Sequence, residues 1–436
     1  MPHPSGPPSF ARAALAAAGI ASLGTLPLQL LSNQSVLIRG DLHFGEAQQG
    51  LLVSAAFGIG ALVSVAVNRF GEKYGRRPLT LIAAAATLSC ALGIALLARS
   101  YPALLLFVLV GGIGQAGLTT AANFSLSETV APGRQGLGFG VKQSAPPAAA
   151  LIAGLAVPAV GLWLGWRWTY GALALAAVVL LVAATRIPRT APNPGTAPNP
   201  GAAASPVRPH ATSPRTPGPT TTSPIGRTDT SLTQVTDTPD TAPRGALLLT
   251  AAAMLTANGA AMALIAFLPQ WAHVSGMPTS VAGFFVASCS ALAIAGRLLV
   301  GASADRRQGR NLPVVTTQMA VGAIGMLLLA LGTGPAVVVG GLVAFALGWS
   351  WPGLLIFAVV RLGRDRPNSA AAVVQAGAFA GGAFGPLIFG LVAGSAGYPA
   401  AWFGMAAGMA LGALMLALAR RMFVADLKLR PVVRTA

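Results

Sequence analysis

Asn68-Arg69-Phe70-Gly71-Glu72-Lys73-Tyr74-Gly75-Arg76-Arg77 follows a long apolar run, and a related stretch, Gly301-Ala302-Ser303-Ala304-Asp305-Arg306-Arg307-Gln308-Gly309-Arg310, follows another far downstream. Sliding the sequence on itself by about 233 residues aligns Gly50 with Gly283, Asn68 with Gly301, Glu72 with Asp305 and Pro102 with Pro335. A shift one residue shorter aligns Arg134 with Arg366 and Gln143 with Gln375. The chain is two related halves.

Of its 436 residues 54% are hydrophobic and 9% charged, whereas a soluble domain has about a quarter of its residues charged. Apolar runs of roughly 20 residues recur about a dozen times, each long enough to cross a hydrocarbon core of about 30 Å as a helix. Barrel strands of about ten residues do not need such runs. The expected fold is an all-α membrane protein with twelve transmembrane helices in two pseudo-symmetric six-helix bundles. The first-half helices are expected near 13–37, 47–67, 79–98, 102–125, 137–160 and 167–186. Those of the second half are expected near 245–270, 279–300, 313–333, 335–360, 369–394 and 398–420. The domains are then 1–186, a linker over 187–244, and 245–436 with a tail. The linker opens with a tandem repeat, Ala191-Pro192-Asn193-Pro194-Gly195 and Ala197-Pro198-Asn199-Pro200-Gly201, and continues rich in Ser, Thr and Pro. Such a composition reads as a disordered, partly polyproline tether.

The formal net charge is +18, and its distribution follows the expected membrane. Segments on one side hold Arg12, Arg69, Lys73, Arg76, Arg77, Arg134, Arg306, Arg307, Arg310, Arg361, Arg364, Arg366, Arg420, Arg421, Lys428, Arg430 and Arg434. The other side holds Arg39, Arg99 and Arg167. The asymmetry predicts a multi-pass protein of a bacterial-type inner (plasma) membrane, with both termini and the linker cytoplasmic. Nucleic acid is excluded as a partner, because the charge neither gathers on one domain nor interleaves with aromatics. Cys90 and Cys289 stand alone in separate apolar runs and the four histidines are scattered, so no disulfide, metal or cofactor is expected. The first apolar run lacks a small-residue cleavage site and reads as the first span. No cluster of acids, histidines or nucleophile with base suggests an enzyme.

The two charged segments are expected as short loops joining helices 2 and 3 of each half. They admit two readings. As latches, Glu72 and Asp305 pair with arginines and with a helix N-terminus, at roughly 0.3–2 kcal/mol per contact; as topology determinants, the arginines only orient the chain.

On these residues the chain resembles the major facilitator superfamily of secondary transporters. That family's signature between helices 2 and 3 places Gly, three residues, Asp, two residues, then Gly and Arg-Arg. Here Asn68 and Glu72 replace the first Gly and the Asp, while Gly75, Arg76 and Arg77 fit; Gly301 and Asp305 fit in the second copy, with one extra residue before Gly309-Arg310. The resemblance covers nearly the whole chain outside the linker. It implies two bundles around a central cavity that opens alternately to either side. It also implies gating by Glu72, Arg76 and Arg77 and by Asp305, Arg306 and Arg310. Glu72 would face the start of helix 11 near Asn368 and Ser369, and Asp305 the start of helix 5 near Gln135 and Gly136. The drug/proton antiporter pattern of helix 5, a Gly-Pro followed by a Gly pair, is replaced by Ala145-Pro146-Pro147-Ala148.

Lys142 is the sharpest single candidate, a lysine expected inside a span where a charge needs water, a partner or a ligand. It reads as an anion hook beside Gln143 and the aligned Gln375, or as a side chain snorkelling to the headgroups. Arg297, the other cation inside a span, is expected to snorkel or to bond Asp305. The resemblance makes helices 1, 4, 7 and 10 line the cavity, which adds Gln29, Asn33, Gln115, Asn123, Asn258, Gln270, Trp349 and Trp351 as substrate-binding candidates. Trp166, Trp168 and Trp402 read as interfacial anchors. No carboxylate falls in mid-span, and Val108 stands where the family's helix 4 often carries arginine. A coupling ion is therefore one option, beside Glu128 as titrating group or plain facilitation. The expected function is secondary active or facilitative transport of a small organic solute, an anion if Lys142 binds it; export of amphipathic or drug-like compounds is the alternative.

Overall fold

The computed structural model describes residues 10–127, 140–187, 241–304, 307 and 311–430. The first half contains α1 (Phe10–Asn33), α2 (Ser35–Leu42), α3 (Glu46–Tyr74), α4 (Arg76–Leu92), α5 (Tyr101–Ser127), α6 (Ala145–Ala156) and α7 (Trp166–Thr185). The second contains α8 (Arg244–Val274), α9 (Thr279–Ala304), α10 (Asn311–Ala330), α11 (Gly334–Ala346), α12 (Pro352–Leu362), α13 (Pro367–Ala396) and α14 (Tyr398–Leu429). The protein is all-α, and eleven helices are individually long and apolar enough to span a membrane. The tenth span is the pair α11 and α12, which completes twelve in two bundles of six. The fifth runs over Gly140–Gly161. The face toward which both Phe10 and Leu429 lie is the terminal face below, the other the opposite face. The expected linker lies outside the described residues except for Ile187 and residues 241–244.

Two expectations from spacing change. The segment at 68–77 is not a loop: α3 stays helical through Tyr74, and the single residue Gly75, at φ 84°, reverses the chain into α4. Only glycine takes that conformation without strain. The helix expected over 335–360 is broken at 347–351. Pro352 has no N–H to give the carbonyl of Gly348, so the α-helix cannot run through it. The Trp351 indole Nε1 donates to that carbonyl instead, at 2.8 Å. The backbone also presses against α10 here, where a Cβ on Gly348 would lie 2.7 Å from the Cα of Gly322.

The bundles meet along two seams of small residues, which let helix backbones approach closely in a membrane. In the first, the fifth span lies on α9. A Cβ on Gly154 would fall 2.7 Å from the Gly283 carbonyl oxygen, and one on Gly283 the same distance from that of Gly154. At the other end of this seam a Cβ on Gly140 would sit 3.1 Å from the Arg297 carbonyl oxygen and 3.4 Å from the Cα of Gly301. In the second seam α3 lies on α13. Gly50 faces the backbone of Pro386, Gly390 that of Glu46, and Gly382 the ring of Phe57. Nearer the terminal face, the glycines of α13 turn to α8, Gly377 meeting Ala251 and Gly381 meeting Leu255, while Leu62 and Val65 of α3 are 79% and 57% exposed.

Candidate functional site

Helix breaks in the fifth and tenth spans leave backbone carbonyls without helical partners. In the fifth, Pro147 stands four residues after Gln143 and has no N–H for its carbonyl. In the tenth, the interruption at 347–351 leaves the Trp349 carbonyl outside the helical ladder. Free carbonyls within a membrane span are costly unless something donates to them. One side chain serves both: Arg297 of α9 donates through Nη1 to the Gln143 carbonyl and through Nη2 to the Trp349 carbonyl. Its guanidinium also stacks on the Trp349 ring, 4.4 Å from the ring centre.

Arg297 is only 5% exposed. Its Nε has no hydrogen-bond partner, and among the described residues no carboxylate forms an ion pair with it. A buried charge is expensive unless paired, and here neutral carbonyls alone oppose it. Beside it lies a small, partly open cavity of about 20 Å³, lined by Gly140, Gln143, Arg297, Val300, Gly301, Ala304, Ser350, Gly353, Leu354 and Phe357. Three helices from both bundles build this wall. The snorkelling expected of Arg297 does not occur, because two carbonyls left free by the helix breaks, those of Gln143 and Trp349, hold the head group inside. Sequence spacing contained Pro147 and Pro352, but not the fact that these two spans converge on α9.

The sequence candidates distribute as follows. Gln143 lines the cavity and touches Gly353. Lys142, its neighbour, is half-buried in the short helical turn before α6, outside the cavity lining. Trp349 stacks on Arg297, whereas Trp351 is fully buried and bonded to its own turn. Asn258 donates to the Ala378 carbonyl at 2.7 Å, tying α8 to α13. Gln115 lines a smaller cavity of about 10 Å³ within the first bundle, with Gly24, Leu28 and Val108. Gln29 and Asn33 are buried; Asn33 Nδ2 donates to the Gln29 carbonyl at 2.9 Å, and the side-chain oxygens of both lack donors. Asn123 is exposed and Gln375 half-buried. Glu72 is exposed and forms no hydrogen bond or ion pair with a described residue, while Arg76 and Arg77 are half-buried. Asp305, Arg306 and Arg310 lie outside the described residues, as does Glu128. Among the described residues no group of acids, histidines or cysteines could hold a metal.

Toward the opposite face three hydrogen bonds cross between the bundles. Gln49 Nε2 donates to the Ala266 carbonyl at 2.8 Å, the Leu387 N–H to Ser54 Oγ at 3.0 Å, and Ser35 Oγ to Gln270 Oε1 at 3.5 Å. Every one of these bonds joins the first bundle to the second. Spacing alone marked Gln270 but gave no sign of Gln49, whose partner is backbone. Outside the spans on that face, Asp41 accepts from Arg167 at 2.5 Å and from Trp166 Nε1 at 3.2 Å. The Arg167 hydrogen bond, then its charge, hold the Asp41 carboxyl below the usual carboxylate range.

A family model described as the Major Facilitator Superfamily matches residues 13–362. No curated protein sequence matches the chain. Among solved structures, it is similar to crystal structures of a bacterial homologue of the human lysosomal transporter Spinster, inward-facing and occupied in one and inward-facing and unoccupied in the other. The first has a TM-score of 0.63 at 15% identity and the second 0.62 at 14%, each covering 97% of this chain and 98% of its own. At such identity the likeness is one of fold.

Proposed function

Because this chain belongs to the Major Facilitator Superfamily, and so is a multi-pass membrane transporter rather than an enzyme, we propose that it moves a small organic solute by alternating access. The cargo is an organic anion, and transport is either ion-coupled or facilitative. The bundles correspond to 1–186 and 245–436, joined by the 187–244 tether, and the terminal face is cytoplasmic in a bacterial-type inner membrane, in keeping with the arginine asymmetry. The observation that carries this reading is the uneven fastening of the two faces: three interbundle polar bonds and the Gly50–Pro386 approach gather toward the opposite face, whereas toward the terminal face Arg297 and Gly140 hold one seam and Glu72 at the end of α3 is unlatched from described residues. In this state the pathway is shut outward, and the gating role of Glu72, Arg76, Arg77, Asp305, Arg306 and Arg310 belongs to the other state. Two cations at the terminal half of the spans, Lys142 and Arg297, support an anionic cargo. The apolar cavity walls at Val300, Leu354 and Phe357 support the second reading, export of amphipathic compounds.

Ser54 and Leu387 are in contact across the seam, so a Ser54→Cys, Leu387→Cys pair tests the reading. Oxidative cross-linking in proteoliposomes should stop solute flux, and reduction should restore it. Undiminished flux in the cross-linked protein would rule out rocking about this seam. A panel of radiolabelled organic anions and lipophilic cations in the same vesicles separates the two cargo readings.

A further inference from the structure

We propose that the terminal tip of α14 is a strap: through Asp426 it holds the loop between α12 and α13 back from the first bundle, and it gives way when the terminal face closes. The inference rests on the alternating-access reading for the claim that this face closes. Three segments meet at the tip. Asp426, in the last turn of α14, accepts from Arg364 Nη2 through Oδ2 at 2.6 Å, and through Oδ1 from Arg430 Nη2 and from Arg430 Nε, the last at 2.9 Å. The same Arg364 nitrogen donates to the Arg430 carbonyl at 3.0 Å. The backbone of Arg364 pairs with that of Thr241 in an isolated antiparallel bridge, and Arg430 Nη2 donates to the Thr241 carbonyl at 3.4 Å. One carboxylate thus ties the chain entering α8, the α12–α13 loop and the end of α14.

Helix formation alone does not call for this arrangement. An acid in the last turn of a helix opposes the macrodipole, which favours a cation there. Asp426 stands past Arg420 and Arg421, beyond the apolar run of α14, yet the Arg364 and Asp426 side chains are only 6% and 13% exposed. A pair so sheltered is screened less than one in open water. Arg364 itself has φ 50° and, with His43, is one of two described non-glycine residues in the left-handed region. A side chain is strained there, and such strain persists only where the surrounding contacts impose it, often at a switch. The direction of the pull follows from packing. α13 begins at Pro367, three residues after Arg364, and lies between α3 and α8. α14 packs on α8, α10 and α13 of its own bundle, so a loop drawn to its tip is drawn away from α3. On this face α3 and α13 part: Leu62 and Val65 are exposed on one side and Ala372 on the other. Closing that gap would carry the start of α13 toward Glu72 at the end of α3 and pull Arg364 off Asp426. The ion pair favours the open arrangement and the backbone strain favours release, so the loop is poised between them.

The test uses the full chain in nanodiscs and follows maleimide labelling of Ala372→Cys on α13 and, in a separate protein, of Val65→Cys on α3. Asp426→Asn should lower labelling at both positions by about fivefold, the low end of coupling between sites, because the freed face closes for more of the time. Should that variant not fold, Arg364→Gln removes the other partner while Arg430 still serves Asp426, and it should lower labelling too. The two changes together should do no more than either alone, since both remove one contact. A lower melting temperature with unchanged labelling would make the contact a brace within the second bundle and overturn the strap. A rise in labelling, the sign of a loop that merely loosens, would overturn it as well. The anion and cation panel in vesicles separates the two layers. Flux that persists with labelling unchanged in both variants overturns the strap and leaves transport standing. Labelling that falls as expected in a protein that moves no member of the panel leaves the strap and overturns the cargo reading.

Discussion

The seam between the fifth span and α9 is fastened at both ends, whereas the close contacts of its counterpart between α3 and α13 end at Phe57 and Gly382. The internal repeat relates these seams, the fifth span answering to α13 and α9 to α3. At the opposite face they are alike, glycine against backbone in both. At the terminal face they differ by a few side chains. Arg297 aligns with Ser64, whose hydroxyl bonds Ala61 of its own helix at 2.7 Å. Pro147, which frees the Gln143 carbonyl, aligns with Phe379, so the Gln375 carbonyl keeps its place in an uninterrupted α13. One seam has both a long donor and a freed acceptor; the other has neither. Duplication supplied matched surfaces, and a proline with an arginine made one of them a clasp.

The largest effect should come from the ends that are alike. Gly283→Leu drives a side chain into the Gly154 carbonyl, and Gly50→Leu does the same at Pro386. Neither backbone can retreat without parting the bundles, so each should cost about 3 kcal/mol, the upper part of the overpacking range, read as a fall in detergent melting temperature. At the terminal ends the two seams should diverge. Gly140→Leu meets Arg297 and Gly301 and should destabilise, whereas Ala372→Leu, its exposed counterpart, should not. Equal costs at Gly140 and Ala372 would break the comparison.

A smaller effect is expected from the clasp itself. Arg297→Gln leaves the Gln143 and Trp349 carbonyls without their donor but also removes an expensive buried charge, so the net loss should be about 1–2 kcal/mol. The sharper readout is access: maleimide labelling of Gln143→Cys should rise severalfold when Arg297→Gln is added, making the first seam resemble the second. Glu72→Gln should change stability by less than about 0.5 kcal/mol, as exposed substitutions do. If it latches only when the terminal face closes, it should raise labelling of cysteines placed on that face.

Length, hydropathy and the repeat made the bundles legible, because a span declares itself by composition alone. The break at 347–351 was less so: Pro352 announces an interruption, but Trp351 and Gly348 settle its shape through a side-chain bond and a backbone contact that hydropathy does not register. Candidate polar residues were legible as a set and not in their use. Asn258 and Trp351 looked like cavity groups, yet the structure turns their donors to backbone carbonyls of α13 and of the broken turn. Arg297 went the other way. A cation near an expected helix end reads as snorkelling until the Gln143 and Trp349 carbonyls, left free by two helix breaks, are known to meet beside it, and that meeting is a property of three helices and two bundles.

The smallest effect should lie outside both seams, and it serves as their control. Asp41 and Arg167 clasp α2 to α7 at the opposite face, with side chains 44% and 34% exposed. At that exposure the pair should contribute less than about 1 kcal/mol. The Asp41 pKa is lowered in the folded protein, first by the Arg167 hydrogen bond, so the folded state binds a proton less readily than the unfolded chain. Its contribution is then fully present above the unfolded carboxylate value of about 3.9 and is lost as pH falls through the lower folded value. Asp41→Asn should flatten that part of the melting profile below about pH 4 and leave the profile near pH 7 almost unchanged. Because the clasp lies within one bundle, labelling of Gln143→Cys should be the same in Asp41→Asn as in the parent. A change there would mean that the first seam is held from the far end of its own bundle, and not by Arg297.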